Sequence, residues 1–170
     1  MITDGDMRVE NVAGISIKIT VVITMPAIAN IHHPQHIAAG TASAYGKDVT
    51  ILERNERPAR KVVITGKGRC NVTNDCSNEE FLQNVPSNPR FLYSALNALS
   101  TQDVKDFFES EGVPLKTERG KRVFPVSDKA LDIVDALNKY ITINGVKRKT
   151  GRVTELIIEA GAVKGCKTED

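Results

Sequence analysis

The apolar positions along the chain change period several times, and each change marks an element. Ile15-Ser-Ile-Lys-Ile-Thr-Val-Val-Ile23 alternates and then becomes continuously apolar, the pattern of an inner parallel strand. Residues 38–45 are small and helix-compatible, and Gly46 is placed to end a helix. Val49 to Leu52 forms a second apolar run that leads into Glu53. Strand, small-residue helix, strand and acid, in that order, predict a βαβ unit. Its two strands are expected to be parallel neighbours. A right-handed crossover then brings Glu53 to the carboxyl edge of the sheet.

Further on the period lengthens. Residues 91–99 are expected to be helical. A stronger helix is predicted over 101–111: Ser100 caps it, Asp103 suits its first turn, and Val104, Phe107 and Phe108 share one face before Gly112. Residues 115–118 and 122–124 pair as a hairpin around Arg119-Gly120. Ser127 is expected to cap a helix running to about Tyr140, with Ala130, Ile133, Val134, Leu137 and Ile141 on its apolar face. Residues 153–159 and 162–167 read as two strands joined through Ala160-Gly161. The short apolar segment from Lys61 to Thr65 has no assignable period, and residues 1–14 have none either. They are expected to be a disordered leader, with one α/β region over 15–170.

Composition narrows the function classes. The 170 residues are 41% hydrophobic and 26% charged, and 23 basic against 21 acidic side chains give a net charge of +2. Such a balance offers no electrostatic case for a nucleic-acid or membrane partner. No apolar run approaches the roughly 18 residues that span a bilayer. Asp4, Asp6 and Glu10 make a poor signal peptide. The cysteines number three, an odd count that argues against a disulfide framework and for a cytoplasmic protein with reduced thiols.

Five features carry candidate chemistry. Glu53, at the end of a second parallel strand, is placed to accept hydrogen bonds from ribose hydroxyls; an acid that merely ends a strand is the alternative. In Thr65-Gly-Lys-Gly-Arg-Cys-Asn71 the glycines let backbone N–H groups approach an anion, and Lys67 and Arg69 bring positive charge. A solvated turn needing positive φ explains the same residues, and the run does not match a P-loop. Cys70 beside Arg69 is either a reactive thiol or a small buried residue packing the loop. His32, His33 and His36 surround Pro34, which disfavours a regular helix there, so no metal site is expected. The run Arg122-Val-Phe-Pro-Val-Ser-Asp128 leads into a helix N-terminus, which either faces an anion or is simply capped.

These runs resemble a known family. Asp48-Val-Thr-Ile-Leu-Glu-Arg-Asn55, Lys61-Val-Val-Ile-Thr-Gly-Lys-Gly-Arg-Cys-Asn-Val-Thr-Asn74, Phe91-Leu-Tyr-Ser94, Ser100-Thr-Gln-Asp103, Phe107-Phe108 and Arg122-Val-Phe-Pro-Val-Ser-Asp-Lys129 occur in one order. Together they are similar to the bacterial aminoacetone-oxidase-family FAD-binding flavoproteins, NAD(P)/FAD-dependent oxidoreductases of the two-dinucleotide-binding-domain group. The likeness covers about residues 38–170. It implies a Rossmann-like FAD-binding domain of α/β class, with a parallel sheet, helices and a hairpin. It also implies FAD as cofactor, NAD(P)H as a candidate electron donor, and a small-molecule substrate. By the same likeness Glu53 holds the adenosine ribose. Arg60, Lys61 and the loop of Thr65, Gly66, Gly68, Arg69, Cys70 and Asn71 lie along the cofactor. Val153 offers backbone groups to the adenine.

Two departures from the family follow. The family's Gly-x-Gly-x-x-Gly turn after the first strand is replaced by Thr24-Met-Pro-Ala-Ile-Ala-Asn30, and no glycine occurs between Gly14 and Gly40. A frameshifted or recombined N-terminus over residues 1–37 accounts for this, and weak FAD binding is expected. The family's substrate domain and C-terminal return to the flavin are also missing, so the chain is expected to be an incomplete FAD-binding domain. A nucleotide- or phosphate-binding module without redox chemistry, or a non-functional truncated product, are the alternatives.

Overall fold

The computed structural model describes residues 6–8, 18–22, 34–54, 62–63 and 65–169. The elements begin with β1 (Asp6–Arg8), β2 (Lys18–Val22), α1 (Pro34–Ala44) and β3 (Asp48–Glu53). A 3-10 turn (Thr65–Gly68), β4 (Thr73–Asn74) and α2 (Asn78–Gln83) come next. A second 3-10 turn (Pro89–Leu92) runs into α3 (Tyr93–Ala98), and then α4 (Thr101–Ser110), β5 (Leu115–Glu118) and β6 (Arg122–Pro125) follow. The chain continues with α5 (Ala130–Ile143), β7 (Lys147–Thr150), β8 (Arg152–Glu159) and β9 (Ala162–Glu169). It forms two compact units. One gathers the described residues up to Arg54 and those from Leu137 onward; the other holds the described residues from Val62 to Ala136.

The first unit contains the expected βαβ arrangement. β2 and β3 are parallel neighbours, with Ile19 opposite Val49 and Val22 opposite Leu52. β7 adds a third parallel strand on the other side of β3, placing Glu53 opposite Thr150. Ala39 of α1, Val49 and Ile51 of β3, and Ile141 of α5 form the buried core, with Ala42, Tyr140 and Val146 packed against it. Small residues let α1 approach closely. A Cβ on Gly40 would lie 2.2 Å from Cε1 of Tyr140, whose hydroxyl is 3.2 Å from Thr41 Oγ1. Gly46, at φ +76°, ends the helix as its sequence position suggested.

The hairpin of β8 and β9 turns at Ala160 and Gly161, with φ of 49° and 76°. Two positive-φ residues match the right-handed twist of the flanking strands. β9 also pairs antiparallel with β1, so three residues of the expected leader lie in a sheet.

In the second unit β6 is central, antiparallel to β5 on one side and β4 on the other. α4 starts where expected. Ser100 Oγ accepts from Asp103 N, and Asp103 Oδ2 accepts from Ser100 N at 2.7 Å, a reciprocal capping box. Phe107 and Phe108 meet edge to face with ring centroids 5.1 Å apart. All five residues predicted for the apolar face of α5 are buried.

Two expectations need correction. α1 begins at Pro34 and includes His36, because proline is tolerated at the first helical position, where its missing N–H would have no partner. Ser127 lies upstream of α5 rather than beside its first residue. Its hydroxyl accepts from Lys129 N at 3.2 Å and donates to Asp132 at 2.5 Å. Among the described residues, no helix is long and apolar enough to cross a membrane.

Candidate functional site

Glu53 ends β3 at the carboxyl edge of the parallel sheet, half-buried, where strand-end ligands bind in open α/β sheets. Its carbonyl oxygen accepts from Gly151 N at 3.0 Å, so the turn from β7 into β8 closes against it. Val153, half-buried, follows two residues later in β8 and pairs with Thr168. Glu53 of the parallel sheet and the start of β8, a strand of the separate β1-β9-β8 sheet, thus lie together at this edge.

The glycine-bearing loop lies in the second unit. Its backbone is unusual: Lys67 and Gly68, which close the 3-10 turn, and then Cys70 take φ of 57°, 81° and 58°. Only Gly68 does so without steric cost. Cys70 is buried, and burial pushes its thiol up to about 11. A thiol held protonated this way packs the loop rather than serving as a nucleophile. Asn71 Oδ1 is buried and accepts no hydrogen bond among the described residues.

Arg69 is strongly engaged. Its Nε and Nη2 donate to Asp128 Oδ1 at 2.9 and 2.5 Å, and Nη2 also donates to Glu118 Oε1 at 2.5 Å. The guanidinium lies 4.4 Å from the ring centroid of Phe124. Lys116 donates to the other Asp128 oxygen at 2.7 Å. The Arg69 hydrogen bond holds Glu118 below the usual carboxylate range. Bonds from Lys116 and then Arg69 do the same for Asp128. The sequence marked Asp128 as part of a conspicuous run, but nothing in it signalled Glu118.

Arg60, Lys61, His32 and His33 lie outside the described residues. His36 is buried in the first turn of α1, where burial and then the charge of Arg148 hold its imidazole at about 4, against an ordinary 6.5. Among the described residues, no group of three or more His, Cys, Asp or Glu side chains is arranged to hold a metal ion.

The His36 shift has a stability consequence. Between pH 6.5 and about 4 the unfolded chain binds the proton and the folded chain does not. Stability is therefore expected to fall as pH drops through that window, by on the order of 3 kcal/mol. The urea midpoint measured from pH 7 to 4.5 should follow this slope, and His36→Gln should flatten it. An unchanged slope between pH 6.5 and 5 in that variant would refute the assignment.

Residues 36–170 match the family model described as HI0933-like protein Rossmann domain. The chain belongs to this family. The matched span of the HI0933-like domain begins at His36, directly after the segment whose sequence lacks the expected glycine turn. The chain is 33% identical over 113 residues to a 3-dehydro-bile acid delta(4,6)-reductase of Clostridium scindens, covering 66% of the chain and 27% of that protein. It is 30% identical over 109 residues to the ribosomal RNA dihydrouridine synthase of Escherichia coli, covering 59% and 26%. The chain spans about a quarter of the length of these curated relatives.

How well an adenine dinucleotide fits the HI0933-like domain differs along the ligand. The adenosine end fits: a half-buried carboxylate ends a parallel strand beside the opening of β8. Within the second unit, the buried Asn71 amide oxygen has no donor among the described residues, a loss of about 1–3 kcal/mol unless water or a ligand supplies one. The segment after β2 lies outside the described residues; its sequence carries Pro26 and no glycine, unlike the turn that receives a pyrophosphate.

Proposed function

We propose that this chain is the FAD-binding region of a flavin-dependent oxidoreductase of the aminoacetone-oxidase type. The observation that carries this reading is the domain match over residues 36–170, taken with Glu53 at the carboxyl end of β3. In this reading the Glu53 carboxylate accepts from the ribose hydroxyls of the adenosine, and Val153 backbone groups meet the adenine. Arg60, Lys61 and the Thr65–Asn71 loop follow the rest of the cofactor. FAD supplies the electron chemistry when bound; the chain's own residues bind and orient it. NAD(P)H is the electron donor proposed, and the substrate proposed is a small molecule.

Titration with FAD and with ADP, which shares the adenosine end, tests the reading. Glu53→Ala removes a charge-assisted acceptor, worth about 1.5–3 kcal/mol, and should weaken both ligands by about tenfold or more. Unchanged adenosine affinity in that variant would remove the basis for the assignment. The glycine-free segment after β2 favours a second reading, a nucleotide-binding module without redox chemistry. Equal affinity for ADP and FAD would select it.

A further inference from the structure

We infer that Glu118 and Asp128 are positioning residues for the Gly66–Asn71 loop: they hold Arg69, and Arg69 fixes the backbone on either side of it. The inference deepens the proposed function and rests on its reading that this loop lies along the cofactor.

The loop needs an external hold. Lys67 and Cys70 take left-handed backbone conformations that non-glycine residues rarely adopt, at φ of 57° and 58°. Such conformations persist where the surroundings over-determine them. Here Arg69, between them, is gripped from three directions: by Asp128 through two N–H groups, by Glu118 through one, and by the face of Phe124. Downstream, Val72 N donates to Val123 O at 2.8 Å and ties the loop's exit to β6. The buried Cys70 side chain fills the space beneath.

Charge assigns the role. Arg69 and Lys116 face Glu118 and Asp128, two cations against two carboxylates, with Lys116 2.7 Å from Asp128 and 3.5 Å from Glu118. These two carboxylates take up the charge and the N–H groups of Arg69 and Lys116, while Arg122, 5.7 Å from the Phe124 centroid, is a further cation at the same ring. Arg69 therefore acts on the loop's shape rather than as an anion ligand, and Lys67, exposed, is the loop's outward-facing cation.

The test uses the 170-residue chain, the double variant Glu118→Gln/Asp128→Asn, and Arg69→Lys, which keeps the charge and loses the planar fork. Cys70 alkylation by iodoacetamide is followed by peptide mass, with Cys76 as internal reference, and melting temperature is recorded alongside. Both variants should label Cys70 about tenfold faster, the factor expected where a local opening becomes tenfold more populated. Cys76 labelling and melting temperature should hardly change. FAD and ADP titrations on the same samples should show weaker binding by the variants. Unchanged Cys70 labelling in both variants overturns the inference, whatever FAD does. If the unmodified chain binds neither FAD nor ADP, the cofactor reading falls. Faster Cys70 labelling would then still establish that the two carboxylates hold the loop. Single Glu118→Gln replaces the double variant if the latter does not fold.

Discussion

Replacing residues 24–37 with a Gly-x-Gly-x-x-Gly turn and helix start is expected to raise FAD affinity by about a hundredfold or more. The pyrophosphate of a dinucleotide carries two negative charges and rests on free backbone N–H groups at a helix N-terminus, where glycines allow close approach. In this chain Pro26 has no N–H, side chains stand at Thr24, Pro26 and Ala29, and no glycine occurs between Gly14 and Gly40. Each charge-assisted hydrogen bond regained contributes about 1.5–3 kcal/mol. Two of them reach at least about 3 kcal/mol, which corresponds to roughly two orders of magnitude in Kd. The graft also removes Pro34 and His36, the present first turn of α1. Flavin fluorescence titration of the two proteins decides the matter. Micromolar or tighter binding by the unmodified chain would show that this site does not depend on the glycine turn.

What the sequence revealed follows from how local each signal is. β2 and β3 were legible because parallel strands are rich in apolar residues, and Glu53 stood out because it closes such a run. α4 was legible from its cap and the spacing of its phenylalanines. β7 was not: all four residues of Lys147-Arg-Lys-Thr150 are exposed, so no alternation marks them as a strand. Pro34 was weighed as a helix breaker, although the first helical position accepts it. The grip on Arg69 was hidden for a different reason. Glu118 and Asp128 lie 49 and 59 residues away, and only the β5–β6 hairpin and the approach to α5 bring them together. Charge in a glycine loop left anion binding and a solvated turn both open, because the sequence shows the cation without the carboxylates that pair with it.

Ile141→Ala is expected to destabilise the fold by about 3–4 kcal/mol, in the middle of the range for large-to-small core changes. Ile141 is fully buried, and its neighbours include Ala39, Val49 and Ile51. The cavity would be hard to close. Ala39 has no reach, the β3 neighbours are held in a parallel ladder on both sides, and α1 is already seated against Tyr140 at Gly40. Ile141→Val removes one methylene and should cost about 0.5–1.5 kcal/mol, which separates packing from any change in helix formation. Urea unfolding followed by circular dichroism should show the midpoint falling in that order with an unchanged slope. Because Ile141 packs against β3, whose last residue is Glu53, loss of this contact also loosens the strand that presents the acid. A loss below about 1 kcal/mol for Ile141→Ala, the level of an ordinary surface change, would mean that α5 does not anchor the parallel sheet as its burial implies.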